Sequence, residues 1–86
     1  MAHMDTQGLA QSIDVAIGNE LRAQRLGREL SREQLATDSG ISAKSIQRFE
    51  EAKRSPNTKQ MAALTTALGT SLRAFLERAL KDIDLA

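Results

Sequence analysis

The 86-residue sequence contains no cysteine, tryptophan or tyrosine, and it has one proline and one histidine. The absence of cysteine excludes disulfides, iron–sulfur clusters and thiolate zinc sites. The histidine, His3, lies in the opening Met1-Ala2-His3-Met4, and we interpret residues 1–3 as a cloning remnant ahead of a native Met4. Histidine-based catalysis and metal binding are therefore not expected, and no cofactor is expected either.

Long apolar runs are also absent. No stretch approaches the roughly 20 residues that span a bilayer, and no secretory signal is recognisable, so we expect a cytoplasmic protein without a membrane partner. The length predicts a single domain over residues 4–86, with no room for a separate ligand-sensing domain and no small-molecule substrate. With 41% apolar and 27% charged residues, the chain has the composition of an ordinary folded domain.

The charge of the chain is unevenly distributed, although its net value is only +1. Nine basic and five acidic residues lie between Arg22 and Lys59, whereas the two ends together carry three basic and six acidic residues. A basic centre between acidic ends favours a polyanionic partner such as nucleic acid. The alternative is a set of charges that are merely solvated.

Apolar residues recur at spacings of three and four along the whole chain, which predicts an all-α fold of five helices. Polar caps and glycines mark the helix boundaries; the pattern Ser31 to Gln34, for example, is a capping box. The first helix is predicted to begin near Asp5 or Ser12 and to run to about Leu26, with Gly27 closing it. The second helix covers about 32 to 39, and the third follows Ser42. The fourth starts at Ser55-Pro56 and ends at Gly69, and the fifth covers about 72 to 83.

Two of the predicted helices are short and are joined by Ser39-Gly40-Ile41-Ser42. Glycine permits the positive φ of a tight turn, so residues 31–51 or so are predicted to form a helix-turn-helix. Ile46 and Phe49 are expected to face the core. Because successive helical residues are rotated by about 100°, Lys44, Arg48 and Glu51 point away from Ile46. Ser45 and Gln47 flank them, so the second helix has a donor-rich outer face. A helix of this kind enters the major groove of DNA.

Several further anchors occur together between residues 17 and 71. They are Ile17-Gly18, Leu21-Arg22, Arg25, Leu30-Ser31, Leu35-Ala36, Gly40-Ile41-Ser42, Ser45-Ile46, Phe49-Glu50, Lys53-Arg54-Ser55-Pro56 and Ala67-Leu68-Gly69-Thr70-Ser71. With these anchors the chain resembles the phage-repressor and Cro-like (Xre-type) helix-turn-helix family. The resemblance implies a five-helix repressor-type domain that binds operator DNA as a symmetric dimer. Ala52 stands where the family usually has glycine; left-handed backbone at alanine costs about 1 kcal/mol, so we expect helix three to end differently.

The DNA-contacting residues follow from the outer face of helix three, from the helix starts and from the resemblance. Arg48 could pair with guanine or contact phosphate, and Gln47 could pair with adenine or reach phosphate. The resemblance also implies an ion pair between Arg25 and Glu50, the alternative being two solvated charges. The predicted base-contacting residues are Ala43, Lys44, Ser45, Gln47 and Arg48, and the predicted phosphate-contacting residues are Arg32, Ser42, Lys53, Arg54 and Lys59. The alternatives are an exposed first-turn arginine at residue 32 and solvated charges at residues 53, 54 and 59.

The last helix carries more apolar residues than so small a core needs. Phe75, Ala79, Leu80 and Ile83 are therefore predicted to form a homodimer interface, because two-fold symmetric DNA recognition requires a second subunit. The alternative cover is the N-terminal segment, through Leu9 and Ile13.

These observations predict a prokaryotic or phage transcriptional regulator, a repressor that binds double-stranded operator DNA. No enzymatic activity is expected, because neighbouring carboxylates such as Glu50 and Glu51 point about 100° apart on a helix and lack a companion base or metal ligand. The alternative is a protein-interaction module or antitoxin of the same fold, in which the outer face of helix three would be apolar.

Overall fold

The structure, a computed structural model, describes residues 5–83. This part of the chain contains five α-helices and no strand, as predicted. The interpretation of residues 1–3 and Met4 concerns residues outside the described range. The helices are α1 (Thr6–Gly27), α2 (Arg32–Ser39), α3 (Ala43–Glu50), α4 (Thr58–Ala67) and α5 (Leu72–Leu80).

Every helix begins at a polar side chain that accepts a hydrogen bond from the first turn. Of the two predicted starts of α1, Asp5 is the observed cap, and its carboxylate accepts from the Gly8 amide. The capping box of α2 is present as predicted, with Ser31 and Gln34 bonded reciprocally. The predicted start of α4 at Ser55-Pro56 is wrong by two residues, because Asn57 forms a second capping box with Gln60.

Four helix ends are closed by a residue with positive φ, and Gly40, at 76°, is the one that ends α2. Gly69 adopts it after α4, at 70°, but Glu29 and Ala52 also have φ of 57°. The expectation that Ala52 avoids this conformation is therefore wrong. Its amide donates to Phe49 O at 3.1 Å and the Lys53 amide donates to Arg48 O at 2.9 Å, which is the hydrogen-bond pattern of a Schellman cap.

Two other predicted helix ends also differ. Gly27 remains helical, and Glu29 rather than Gly27 provides the left-handed residue that closes α1. The fifth helix ends at Leu80 instead of Ile83; Ile83 lies in a turn in which its amide donates to Leu80 O at 3.0 Å.

The core receives side chains from all five helices, since α1 packs on α3 and α5, α2 packs on α3 and α4, and α4 packs on α5. Phe75, predicted at a dimer interface, is instead 1% exposed inside this core, so that assignment is wrong. Its position on α5 points it at the domain interior rather than along the outer stripe. The fully enclosed or nearly enclosed apolar residues are Leu21, Leu35, Ile46, Phe49, Met61, Leu64, Leu68 and Phe75.

The crossing of α1 over the end of α3 depends on a glycine inside a helix. A Cβ at Gly18 would lie 2.5 Å from the carbonyl oxygen of Phe49 and 2.8 Å from that of Glu50. Any side chain at residue 18 would force the two helices apart, because these distances are far below van der Waals contact. Gly18 therefore sets the position of α3 relative to the rest of the domain.

The described residues form an elongated body of 45 × 22 × 21 Å. None of its helices is both long enough and apolar enough to cross a membrane. Leu9 and Ile13 on α1 are half-buried, and α1 packs along α5.

Candidate nucleic-acid interface

The helix α3 has a buried face and an exposed face. Ile46 and Phe49 are 0% and 1% exposed, whereas Lys44, Gln47 and Arg48 are exposed. The turn before the helix has the predicted geometry, with Gly40 at φ 76°. The separation of α3 into a buried and an exposed face follows from the 3.6-residue period of a helix, which puts the polar residues of α3 on the side away from the core.

The five predicted base-contacting residues all lie on α3, with different degrees of exposure. Lys44 and Arg48 form the middle of the exposed face, and Gln47, Ala43 and Ser45 lie at its two edges. Ala43 and Ser45 are half-buried. No large apolar side chain lies among the exposed residues of α3, so its outer surface is polar and cationic.

Two open clefts border α3. The first, of about 480 Å³, lies between the start of α2 and the edge of α3 that carries Ala43 and Gln47. The second, of about 460 Å³, lies on the other edge, between the α2–α3 turn and the start of α4. Basic side chains line both clefts: Arg25, Arg32 and Lys44 in the first, and Arg54 and Lys59 in the second.

The predicted phosphate-contacting residues are divided between these clefts, with one exception. Arg32 lines the first cleft, and Ser42, Arg54 and Lys59 line the second. Lys53 lines neither, and its ammonium group lies 3.9 Å from the Glu51 carboxylate with 73% of the side chain exposed.

A buried carboxylate joins the first three helices. Glu50 Oε2 accepts from Arg25 Nε at 2.7 Å and Glu50 Oε1 accepts from Arg25 Nη2 at 3.1 Å. The Glu50 side chain is 1% exposed. Hydrogen bonding to Glu50 raises the pKa of Arg25, so this guanidinium stays charged. The structure thus brings the predicted pair Arg25 and Glu50 together.

Arg32 adds a second guanidinium to the same carboxylate, with Nε and Nη2 each 3.1 Å from Glu50 Oε1. Arg32 is the first residue of α2, Arg25 lies on α1 and Glu50 ends α3. The three charges therefore fix the angle between the helices of the helix-turn-helix, and one positive charge remains uncompensated within the cluster. The Arg32 side chain is 33% exposed, so it also faces the first cleft.

Arg54 is held against α3 from the other side. Its guanidinium lies 5.8 Å from the centre of the Phe49 ring, within the range of a cation–π interaction. Arg54 Nη1 donates to Ser45 Oγ at 3.4 Å, and Ser42 Oγ donates to the same oxygen at 3.0 Å. The second cleft consequently has an arginine at its wall beside the polar edge of α3.

Two residues of this site were not predicted from the sequence in the roles they have here. Arg32 was assigned only to phosphate, and its contact with Glu50 has no local sequence signal because the residues are 18 apart. Glu51, which accepts a hydrogen bond from Gln47 at 3.2 Å, could have been found, since residues four apart on a helix are neighbours.

Within residues 5–83 no group of three or more histidine, cysteine or acidic residues is arranged to hold a metal ion. The charged side chains that line the two clefts beside α3 are instead cationic, apart from Glu33 in the first cleft. Such donors bind acceptor-rich surfaces, such as phosphate oxygens and the major-groove edges of base pairs.

Comparisons with known proteins agree with this geometry. A family model described as a helix-turn-helix domain matches residues 16–78. Among solved structures, the clp gene regulator ClgR from C. glutamicum is similar with a TM-score of 0.76 and 24% identity, over 86% of this chain and 96% of that one. This similarity shows a shared fold. No curated protein matches the chain.

Proposed function

Because the chain belongs to the helix-turn-helix domain family, we propose that it binds double-stranded DNA sequence-specifically and represses transcription in a prokaryote or phage. The observation that carries this proposal is the exposed cationic face of α3 between two basic clefts. An α-helix with its side chains is about 10–12 Å across, and the major groove of B-DNA, about 12 Å wide, admits it.

With α3 in the major groove, the clefts on its two sides face the two sugar-phosphate strands that border the groove. Arg32 in the first cleft and Arg54 and Lys59 in the second are then placed to neutralise phosphates. The backbone N–H groups at the starts of α2 and α3 point to the same strands and add partial positive charge. These contacts orient the domain without selecting a sequence.

Sequence selection is assigned to the residues on the outer face of α3. Arg48 carries the planar fork of donors that matches guanine O6 and N7, and Lys44 can donate to the same atoms with less directionality. Ala43 offers a methyl group for a thymine methyl, and Ser45 offers a hydroxyl. The polar character of this face also argues against the alternative of a protein-interaction module, which needs an apolar surface there.

The domain is further proposed to act as a homodimer that reads two half-sites. Ala79 and Leu80 at the end of α5, together with Ile83 in the turn that follows, are half-buried in the monomer and supply an apolar strip. A two-fold partner would bury the part of this strip that remains exposed and would place the two α3 helices about 34 Å apart along the DNA.

The test is a selection of duplexes from a random-sequence library with the purified chain, followed by footprinting on the DNA that flanks its own gene. We expect one enriched sequence with two related half-sites, protection of that sequence, and reduced transcription from a promoter that contains it. The variant Arg48→Ala is the matched control: a change of preference at one base pair supports base readout, whereas equal weakening on every sequence assigns Arg48 to phosphate. Uniform binding of the wild type to all duplexes would contradict the proposal.

A further inference from the structure

The side chain of Gln47 is held by Glu51, its neighbour one turn further along α3. Gln47 Nε2 donates to Glu51 Oε2 at 3.2 Å, and both residues are exposed beside Arg48. An ionised carboxylate accepts hydrogen bonds and donates none. The amide nitrogen of Gln47, and not its amide oxygen, must therefore face Glu51, and the contact selects one of the two flipped orientations of the amide.

This orientation leaves Gln47 with the two groups that adenine requires. One N–H is bound to Glu51, and the amide oxygen and the second N–H remain for an external partner. In the major groove adenine offers the N6 donor and the N7 acceptor, which a glutamine amide matches with two parallel hydrogen bonds. Guanine offers two acceptors there and cytosine a donor, so neither matches both groups of the fixed amide.

We propose that Glu51 is a specificity-determining residue that positions Gln47 to read adenine. The proposal rests on the proposed function, in which α3 lies in the major groove. Glu51 does not contact the base; it acts by restricting the amide before DNA arrives, which lowers the conformational entropy lost on binding. The Lys53 ammonium group at 3.9 Å from the Glu51 carboxylate offsets part of its negative charge near the phosphates.

The experiment compares base preferences of variants on the duplex that the purified full chain selects from a random library. Gln47→Ala identifies the base pair concerned, because it should lose about tenfold preference for adenine at one position and leave the other positions unchanged. Glu51→Ala should reduce preference at that same position by about fivefold. Glu51→Gln should keep most of the preference, since its amide oxygen still accepts from Gln47.

Glu33→Ala is the matched control, because Glu33 lines the same cleft as Gln47 and carries the same charge as Glu51. Its removal should raise affinity for all sequences alike and leave every preference unchanged. In the Gln47→Ala background, Glu51→Ala should have no further effect on preference, as a thermodynamic cycle requires of a residue that acts through Gln47.

The inference is overturned if Glu51→Ala keeps the wild-type preference at that base pair, if it alters preference in the Gln47→Ala background, or if Gln47→Ala changes no preference at all. In each of these cases the proposed function still stands if the wild type binds DNA with a sequence preference. A wild type without any sequence preference contradicts the proposed function itself, so the two failures are distinguishable.

Discussion

Glu50 and Glu51 are adjacent acidic residues with opposite surroundings. Glu50 is buried and accepts hydrogen bonds from Arg25 and Arg32, whereas Glu51 is exposed and contacts the exposed side chains of Gln47 and Lys53. A buried ion pair contributes little over an apolar pair of the same shape, but removal of one partner leaves a buried charge that water cannot solvate. Loss of the Glu50 carboxylate should therefore lower the stability of the domain far more than loss of the Glu51 carboxylate.

Glu50→Ala is expected to lower the free energy of unfolding by about 3 kcal/mol or more, because it leaves the Arg25 guanidinium buried without its carboxylate. Glu51→Ala, the matched control one residue later, should change it by less than about 0.5 kcal/mol. Urea denaturation followed by circular dichroism measures both. Equal effects of the two substitutions would show that the Glu50 cluster does not hold the helices together.

Ala52 holds a left-handed conformation, with φ of 57°, that is unfavourable for a residue with a Cβ. Ala52→Gly should raise the free energy of unfolding by up to about 1 kcal/mol, because the strain of roughly 1–2 kcal/mol disappears while the unfolded chain gains some entropy. Ala62→Gly in the exposed part of α4 is the control and should lower it by about 1 kcal/mol. Thermal melting of both variants checks the opposite signs; a loss of stability for Ala52→Gly would refute the strain argument.

At the scale of whole elements, the local signals of the sequence were sufficient to place most helices. The capping box at Ser31 and the glycine at Gly40 predicted α2 with its observed bounds, because caps and left-handed closures depend on a few consecutive residues. The family resemblance also predicted the Arg25–Glu50 contact. Features that depend on how helices cross were not accessible in this way.

Three examples show the limit. The role of Gly18 depends on carbonyl groups more than 30 residues later in the chain, and in the sequence Gly18 was only one of the anchors of the family resemblance. The periodic apolar pattern of the fifth helix could not tell that Phe75 faces the core. The same pattern continues to Ile83, although the helix ends at Leu80, because periodicity describes a face and not the point at which a helix stops.

The crossing of α1 and α3 gives an element-scale prediction. Gly18→Ala should lower the free energy of unfolding by about 1–3 kcal/mol, because the added methyl overlaps the carbonyl groups at the end of α3. It should also weaken DNA binding, since α3 must shift. Gly27→Ala is the control: nothing lies within 4 Å of its Cβ position, so it should stabilise α1 by about 0.5–1 kcal/mol. Denaturation and duplex-binding titrations test this pair; a stabilising Gly18→Ala would contradict the crossing geometry.

On the scale of the whole molecule, the charge pattern and the fold agree. The basic segment from Arg22 to Lys59 contains the last six residues of α1, all of α2 and α3, and the start of α4. The acidic excess lies toward the two chain ends. A molecule with this asymmetry is attracted to a polyanion with its α2–α3 side leading, which increases the association rate at low salt.

The proposed dimer gives the prediction at this scale. Leu80→Asp should shift the protein from dimer to monomer and weaken binding to the two-half-site duplex by at least about tenfold, because coupling between half-sites is lost. Lys81→Gln changes the net charge by the same amount at an exposed neighbour and should have little effect. Sedimentation equilibrium measures assembly, and circular dichroism verifies folding. A wild type that is monomeric at tens of micromolar, with undiminished duplex binding by Leu80→Asp, would rule the dimer out.

The separation of α3 into a buried and an exposed face also determines which of its residues can be substituted, in evolution or by mutagenesis, without loss of stability. Lys44, Gln47 and Arg48 contribute nothing to the enclosed apolar core, and substitutions at exposed positions of this kind usually change stability by less than about 0.5 kcal/mol. Ile46, Phe49 and Glu50 carry the structural requirements of the helix. If these three outward residues select the DNA sequence, as proposed, they can be exchanged as a set, and the domain can acquire a new sequence preference without losing its fold.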